Sequence, residues 1–204
     1  INTCTYLALG NKKVLLIDAD PQSNATSGLG IDKSKVERSV YDVLINDEDI
    51  QQIIQATLVP NMDIAPSNVS LTGAEVEMVP LLSREFRLSK ALASIKDRYD
   101  FIIIDCPPSL GLLTINALAA ADSVLIPIQC EYYSLEGLSQ LINTVDLIKK
   151  NLNPKLEVEG VLLTMADYRT NLTGDVIKEA RNFFKEKVYN TVIPRNIRLS
   201  EAPS

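Results

Sequence analysis

Short runs of consecutive apolar residues alternate along this chain with segments whose apolar residues recur at helical spacing. The runs predict strands at residues 13–18, 62–65, 101–105, 123–128, 158–164 and 188–192. The helical segments between them include residues 135–148 and 176–184. A strand that is apolar on both faces is typical of a parallel sheet covered by helices on both sides. The sequence therefore predicts an α/β fold with a mostly parallel, doubly wound sheet, in a single domain over residues 1–204.

Composition narrows the chemistry that such a fold can carry out. The chain has three cysteines at no metal-binding spacing, which indicates free thiols in a reducing compartment such as the cytosol. Histidine is absent, so the commonest general base and the commonest zinc ligand are both missing. Any catalysis therefore has to use carboxylates, backbone groups and basic side chains. No apolar run approaches the roughly 18 residues of a membrane-spanning helix.

Acidic residues end two of the predicted strands. The first strand ends in Asp18 and is followed by Asp20, and the strand "FIIID" ends in Asp105. Ligands bind at the carboxyl ends of strands in sheets of this kind, and Mg²⁺ prefers oxygen ligands. A single aspartate at a strand end can equally be a turn residue or a helix cap. Two such strands in one parallel sheet favour a site for a metal ion and a nucleotide.

Three longer segments resemble a known family. They are "VLLIDADPQSNATSGLG", "YDFIIIDCPPSLGLLTINALAAADSVLIPIQCEYYSLEGL" and "VIPRNIRLSEAPS". In order and over nearly the whole chain, they are similar to the ParA/Soj family of chromosome- and plasmid-partitioning ATPases. The resemblance implies a P-loop NTPase-like nucleotide-binding domain that binds ATP and Mg²⁺. It also implies a homodimer formed on ATP binding, nonspecific binding of double-stranded DNA, a ParB-type partner that stimulates hydrolysis, no membrane partner, and a cytoplasmic location at the nucleoid.

The resemblance further implies roles for individual residues. Asp20 corresponds to the acid that orients the attacking water, Asp105 to the acid that holds Mg²⁺, and Asp18 to a support of the Mg²⁺ shell and so of the cofactor. The residues implied to contact the nucleotide or to form the switch segments around it are Gln22, Asn24, Pro107, Pro108, Met165, Asp167, Pro194 and Arg195. The family usually has glycine after the glutamine, whereas Ser23 follows Gln22 here.

Basic residues cluster near the end of a chain whose net charge is −6. The cluster comprises Lys178, Arg181, Lys185, Lys187, Arg195 and Arg198. Taken without the resemblance, exposed lysines and arginines are most simply a solvated surface. The resemblance favours a surface that contacts DNA phosphates. The predicted DNA-binding residues are Lys178, Arg181, Lys185, Arg195 and Arg198.

The printed sequence departs from the family pattern at its beginning, because no glycine loop of the form KGGxGKTT precedes Asp18. Residues 1–11 resemble the later part of the helix that normally follows this loop, with Gly10 as its C-cap. The simplest interpretation is truncation at both ends, and we expect the printed chain to be inactive. Two alternatives stay open: a membrane-associated relative that positions the division septum, and a non-catalytic interaction module without a P-loop.

Polar residues on two other predicted helices have plain structural interpretations. Asn116 either faces the nucleotide or is a buried structural residue, and its position alone favours neither. Glu75 and Glu77 in "TGAEVEMV" predict a solvated helix face with Thr72 as the N-cap.

Overall fold

The computed structural model describes residues 1–131 and 134–198, with only the backbone described for residues 134–140. The helices are α1 (Asn2–Leu9), α2 (Asn24–Gly28), α3 (Val40–Ile45), α4 (Leu71–Glu77), α5 (Arg87–Leu92), α6 (Leu112–Ala120), α7 (Ser134–Asn151) and α8 (Asn171–Phe184). The strands are β1 (Val14–Asp18), β2 (Gln55–Ala56), β3 (Met62–Ala65), β4 (Phe101–Asp105), β5 (Ser123–Gln129), β6 (Glu157–Ala166) and β7 (Val188–Pro194). The chain divides into two compact units, Ile1–Ala120 and Ala121–Ser204.

The first unit is built on a four-stranded sheet in the order β2-β3-β1-β4. Strand β1 pairs in parallel with both β3 and β4, while the short β2 is antiparallel to β3. The register places Asp18 opposite Asp105. Parallel neighbours end at the same edge of a sheet, so the two acidic strand ends predicted from the sequence lie side by side.

Strand β1 is buried along its whole length because both of its faces are covered. Leu15 and Ile17 pack into a core with residues of α3, α4 and α5. Val14 and Leu16 point to the opposite face and pack against Cys4 and Ala8 of α1. Successive side chains of a strand alternate between the faces of its sheet. A continuous apolar run is therefore what a strand between two helical layers requires.

Strand β4 is less buried than its apolar run predicts. Its residues are half-buried or exposed, and Phe101 is 40% exposed. Within the four-stranded sheet, β4 is an edge strand with a neighbour, β1, on one side. The expectation of a strand buried along both faces was wrong here, because an apolar sequence does not state whether a strand is central or at an edge.

The second unit contains a three-stranded parallel sheet in the order β5-β6-β7. Ile126, Val161 and Leu163 form its core together with Val176 and Ala180 of α8. The six strands predicted from sequence are thus confirmed, with β5, β6 and β7 extending farther than their apolar runs. The α/β class and the mostly parallel pairing are confirmed as well.

Helix α1 precedes β1, as the resemblance of residues 1–11 implies. Gly10 is its C-cap but has φ −80°, and the left-handed residue that follows is Asn11, with φ 60°. Asparagine tolerates this conformation better than most residues. Among the residues that the structure describes, no helix combines the length and the apolar character needed to cross a membrane.

Candidate functional site

The carboxyl ends of β1 and β4 form the centre of the site in the first unit. Asp18 and Asp105 are register partners, and the backbone N–H of Ala19 donates to the Asp105 carbonyl at 2.8 Å. Asp20 follows two residues after Asp18 and is partly exposed. The structure therefore brings the three predicted acidic residues to one edge of the sheet.

Asp18 is completely buried and bound by other parts of the protein. Its Oδ2 accepts hydrogen bonds from the backbone N–H and the hydroxyl of Thr26, at 2.7 and 2.6 Å. Its Oδ1 accepts from the backbone N–H of Asp20 at 3.3 Å. Burial raises the pKa of Asp18, and the bonds from Thr26 oppose that rise. Asp18 thus organises the segment that begins at Asp20.

Asp20 starts a tight turn. Its Oδ1 accepts from the backbone N–H of Gln22 at 2.8 Å, and its carbonyl accepts from the N–H of Ser23 at 2.9 Å. Ser23 has φ 56°, in the left-handed region. Glycine adopts that region without the steric cost of a Cβ atom, which explains why glycine suits this position. Gln22 and Asn24 are exposed beside Asp20.

Asp105 differs from Asp18 in its hydrogen bonding. Within residues 1–131 and 134–198, no described hydrogen bond or ion pair is made by its carboxylate, and the residue is exposed. Although the residue is exposed, partial loss of hydration raises the pKa of the Asp105 carboxyl, and the negative charge of Asp18 raises it further. An acid with free oxygen atoms at a strand end has the donor chemistry that Mg²⁺ prefers.

The side chain of Thr114 holds the segment after β4. The Thr114 hydroxyl donates to the Ser109 carbonyl at 2.6 Å, which fixes the loop that contains Pro107 and Pro108.

The thiol of Cys106 follows directly after Asp105. Burial, and to a smaller extent the charges of Asp105 and Asp20, raise the pKa of Cys106 to about 12. This thiol therefore stays protonated at neutral pH and is no nucleophile.

Two further residues near this loop have structural roles. The Glu75 carboxylate lies where a Cβ on Gly111 would be and accepts weakly from the Leu113 N–H, at 3.5 Å. Asn116 is fully buried and bonds the Arg84 carbonyl and the Leu88 N–H, at 2.8 and 3.2 Å. Of the two interpretations of Asn116, the structure therefore supports a buried structural residue.

The predicted solvated face of α4 is confirmed for Glu77 and wrong for Glu75. Glu77 is exposed and accepts a hydrogen bond from the Tyr41 hydroxyl at 2.7 Å, whereas Glu75 packs against Gly111. The helix begins at Leu71 with Ser70 as its N-cap, so Thr72 lies inside the helix. Tertiary partners from distant segments decided these positions.

In the second unit, four predicted nucleotide-contacting residues meet at the ends of β6 and β7. Ala166 pairs with Pro194, and the backbone N–H of Arg195 donates to the Ala166 carbonyl at 3.0 Å. Met165 and Asp167 flank Ala166. Met165 has φ 55°, an uncommon conformation for a residue with a long side chain, and such outliers concentrate at functional sites.

The charged side chains at this edge are paired with each other. Arg169 binds Asp167 through two hydrogen bonds of 2.8 and 2.5 Å, and this guanidinium holds the pKa of Asp167 below its usual range. The guanidinium of Arg195 lies 3.3 Å from the carboxylate of Glu131. The side chain of Asp167 is thus committed within the protein, and its backbone N–H and carbonyl are also hydrogen-bonded, both to the Thr173 hydroxyl.

The predicted DNA-binding residues near the end of α8 are exposed. Lys178 and Arg181 are three positions apart and therefore neighbours on the surface of α8, whereas Lys185 follows the helix, which ends at Phe184, and has φ 51°. A shallow cavity of about 760 Å³ adjoins them and is lined by Arg181, Asn182, Lys185, Glu186, Val188 and Asn190. Arg198 is exposed. Residues 199–204, which complete the last family motif, lie outside the described residues, as do Tyr132 and Tyr133.

The described part of the chain offers few side chains that could hold a metal ion together. There, no group of three or more cysteine, aspartate or glutamate side chains is placed to hold a metal ion. Asp105 alone presents a carboxylate without a protein donor at the paired strand ends. A cation at this edge would therefore take most of its ligands from water or from a bound anion.

Comparison with known proteins identifies the family. A family model described as an AAA domain matches residues 1–158. The sporulation initiation inhibitor protein Soj of Bacillus subtilis (strain 168) is 63% identical over 204 residues, covering 100% of this chain and 81% of that protein. The chromosome-partitioning ATPase Soj of Treponema pallidum (strain Nichols) is 50% identical, covering 100% of this chain and 79% of that protein. The chain belongs to the ParA/Soj family.

A solved structure relates this ParA/Soj protein to a nucleotide-bound neighbour. Cobyrinic acid a,c-diamide synthase from Mycobacterium smegmatis, with a bound ATP analog and magnesium, superposes with a TM-score of 0.89 at 36% identity. The match covers 95% of this chain and 79% of that one. The P-loop NTPase-like fold expected from the resemblance is thereby confirmed.

Sequence reasoning missed Thr26, Ser67 and Glu75 in this ParA/Soj protein. Thr26 lies within the segment "VLLIDADPQSNATSGLG", but a small hydroxyl residue in that segment does not indicate which group it will hydrogen-bond. Ser67 follows β3 and donates through its side chain to the Asp20 carbonyl at 2.9 Å. The only available sequence signal was that polar residues follow β3 at the same edge of the sheet where β1 and β4 end in acids.

Proposed function

We propose that this protein is a partitioning ATPase that segregates chromosomes or plasmids. In this proposal it binds ATP and Mg²⁺, forms a homodimer on ATP binding, and binds double-stranded DNA without sequence preference in that state. A ParB-type partner stimulates hydrolysis, and the protein acts in the cytoplasm at the nucleoid. The observation that carries the proposal is the side-by-side placement of Asp18 and Asp105, with Asp20 at the same edge.

Asp105 is the residue that would hold Mg²⁺. Its carboxylate has no described protein donor, whereas the Asp18 carboxylate accepts hydrogen bonds from Thr26 and Asp20. A Mg²⁺ ion usually takes one or two carboxylates and completes its shell with water and phosphate oxygens. When bound, the ion neutralises phosphate charge. Asp18 supports the site from behind by fixing the segment that carries Asp20.

Asp20 would orient the water that attacks the terminal phosphate. Phosphoryl transfer depends mainly on placement and on charge stabilisation, so a positioned carboxylate is sufficient. The exposed side chains of Gln22 and Asn24 follow in the same turn, where they can respond to the nucleotide. Pro107 and Pro108 restrict the backbone of the second switch segment.

The ends of β6 and β7 would contact the base. Met165, Asp167, Pro194 and Arg195 lie at this edge, and their contacts with the base would be made largely by the backbone. The support for this assignment is the unusual backbone at Met165, which has φ 55°.

Lys178, Arg181, Lys185, Arg195 and Arg198 would contact DNA phosphates. Lys178 and Arg181 share one exposed face of α8, and Lys185, directly after the helix, and Arg198 are exposed as well. Arg195 is partly neutralised by Glu131, 3.3 Å away. Phosphate contacts carry no base information, so this binding is nonspecific. A dimer doubles the number of contacts and strengthens binding through avidity.

Single substitutions of acidic residues in the full-length protein test the proposal. Asp20→Ala should lower kcat by about 100-fold or more while the Kd for ATP stays within about threefold. Asp105→Ala should raise the Kd for ATP in the presence of Mg²⁺. Asp97→Ala, which removes an exposed acid from a turn outside the site, should leave both values unchanged.

Steady-state hydrolysis and isothermal titration give these two quantities. Wild-type turnover in Asp20→Ala would contradict the assignment of Asp20. Absence of any nucleotide-dependent hydrolysis in the wild type, with and without DNA and a ParB-type partner, would contradict the proposed function itself.

A further inference from the structure

Asp20 is held on both sides by side chains from other segments. On one side, its backbone N–H donates to Oδ1 of Asp18 at 3.3 Å. On the other side, its carbonyl accepts a hydrogen bond from the Ser67 hydroxyl at 2.9 Å. The backbone that carries the Asp20 carboxylate is therefore fixed by two anchors, one from β1 and one from the loop after β3.

Thr26 joins the two anchors. Its hydroxyl donates to Oδ2 of Asp18 at 2.6 Å and accepts from the backbone N–H of Ser67 at 2.9 Å. A hydroxyl has one proton, so these two bonds fix its orientation: the proton goes to the carboxylate and a lone pair to the amide. All three residues are completely buried, where hydrogen bonds are stronger than in water.

The Ser67 loop rests on a further set of hydrogen bonds. Asn68 donates to the Val36 carbonyl at 3.0 Å, and its Oδ1 accepts from the Ser39 hydroxyl at 3.2 Å. Ser39 in turn caps α3 with a capping box. The anchor on the carbonyl side of Asp20 is therefore attached to a helix and does not move independently.

We propose that Asp18, Thr26 and Ser67 form a positioning unit that fixes Asp20, and that this unit depends on the Thr26 hydroxyl. Asp18 acts through Thr26 and Asp20, which is a different role from supplying a ligand to Mg²⁺. This inference rests on the proposed function, because it concerns the turnover that Asp20 promotes.

The arrangement has a specific consequence for turnover. A displacement of about 1 Å in a positioning group can lower a rate by about 100-fold, while substrate binding through other contacts is retained. Loss of the Thr26 hydroxyl removes the bridge between the anchors but leaves the Asp20 carboxylate in the protein. The expected defect is therefore in kcat, with ATP affinity and Mg²⁺ dependence preserved.

The test compares four variants of the full-length protein. Thr26→Val removes the hydroxyl while keeping the side-chain shape, Thr26→Ser keeps the hydroxyl, and Ser67→Ala removes the donor to Asp20. Thr57→Val is the matched control, because the Thr57 hydroxyl also bonds backbone, at 2.8 Å to the Met62 carbonyl. That bond lies at the opposite end of β3 from Ser67.

Thr26→Val should lower kcat by about tenfold or more, with the Kd for ATP and the Mg²⁺ concentration for half-maximal rate within about threefold of wild type. Thr26→Ser should stay within about threefold of wild-type kcat, and Ser67→Ala should lower it by about threefold to tenfold. Hydrogen exchange by NMR should show the Ser67 amide exchanging about tenfold or more faster in Thr26→Val, because its acceptor is gone.

Three results would overturn the inference. They are wild-type kcat in Thr26→Val, an equal kcat loss in Thr57→Val at matched thermal stability, and an unchanged exchange rate of the Ser67 amide. If Thr26→Val does not fold, Ser67→Ala decides: a wild-type kcat in Ser67→Ala would overturn the inference. Undiminished turnover in Asp20→Ala would instead overturn the proposed function, whereas a turnover defect in Asp20→Ala with normal Thr26→Val would overturn this inference alone.

Discussion

Replacement of Asp18 by alanine should destabilise the protein substantially. The side chain is completely buried and accepts two short hydrogen bonds from Thr26, at 2.7 and 2.6 Å. Alanine leaves the Thr26 N–H and hydroxyl without this acceptor, at a cost of about 1–3 kcal/mol for each unsatisfied buried group. Relief of the cost of burying a charge offsets part of this sum. The expected net loss in free energy of unfolding is about 2–4 kcal/mol.

Urea denaturation followed by far-ultraviolet circular dichroism measures this loss, since the chain has no tryptophan. A protein of this size should lose about 5–15 °C in Tm for such a change. Asp100→Ala is the control: Asp100 also accepts a backbone N–H, from Lys13 at 2.7 Å, but it is exposed and lies before β4. A loss below about 1 kcal/mol for Asp18→Ala, or an equal loss for Asp100→Ala, would refute the reasoning.

Three further predictions concern pH, DNA and packing. The pKa of Asp18 is raised in the folded state, so its contribution to stability is fully present below the unfolded value of about 4 and is lost as pH rises through the folded pKa. The stability difference between wild type and Asp18→Ala should therefore shrink as pH rises above about 4 in urea titrations, and a growing difference would show that the pKa is lowered instead. In the full-length protein with ATP, Arg198→Glu and Arg195→Glu should each weaken binding to two unrelated duplexes and reduce the slope of log Kd against log salt by about 1. Fluorescence anisotropy measures both, and equal affinity of wild type and both variants would remove these arginines from the DNA surface. Gly160→Ala should cost about 1–3 kcal/mol in urea unfolding, because a Cβ there would lie 2.5 Å from Cε2 of Tyr189. Gly174→Ala on α8 has no atom within 4 Å of the added Cβ and should be neutral or stabilising by up to about 1 kcal/mol; similar losses in both variants would contradict the packing argument.

Much of the site was predictable because its elements are local in sequence. An apolar run followed directly by an acid identifies both a strand and its polar end, as at Asp18 and Asp105. Parallel pairing then puts both acids at one edge. The neighbouring basic residues Lys178 and Arg181 on α8 were predictable for the same reason, since residues three positions apart share one side of a helix.

Other features depended on partners far away in the chain. The interpretation of Glu75 as a solvated residue failed because its neighbours, Gly111 and Leu113, are supplied by the loop before α6. The burial of β4 was overestimated because edge and central strands carry similar apolar runs. The pairing of Arg195 with Glu131 joins residues separated by 64 positions, and nothing in either motif predicts it.

The sequence by itself determined the α/β class, the order of the strands along the chain and the two acidic strand ends, because each is a property of neighbouring residues. The tertiary structure alone decided what Asp18 does. Its carboxylate accepts a hydrogen bond from the Thr26 hydroxyl. That hydroxyl in turn accepts a hydrogen bond from the backbone N–H of Ser67, which lies 41 residues after Thr26. A hydrogen bond is directional and short, so its partners are chosen only when the strands have paired and their loops are packed at one edge. The sequence shows which residues can donate and accept, and folding decides which of them meet.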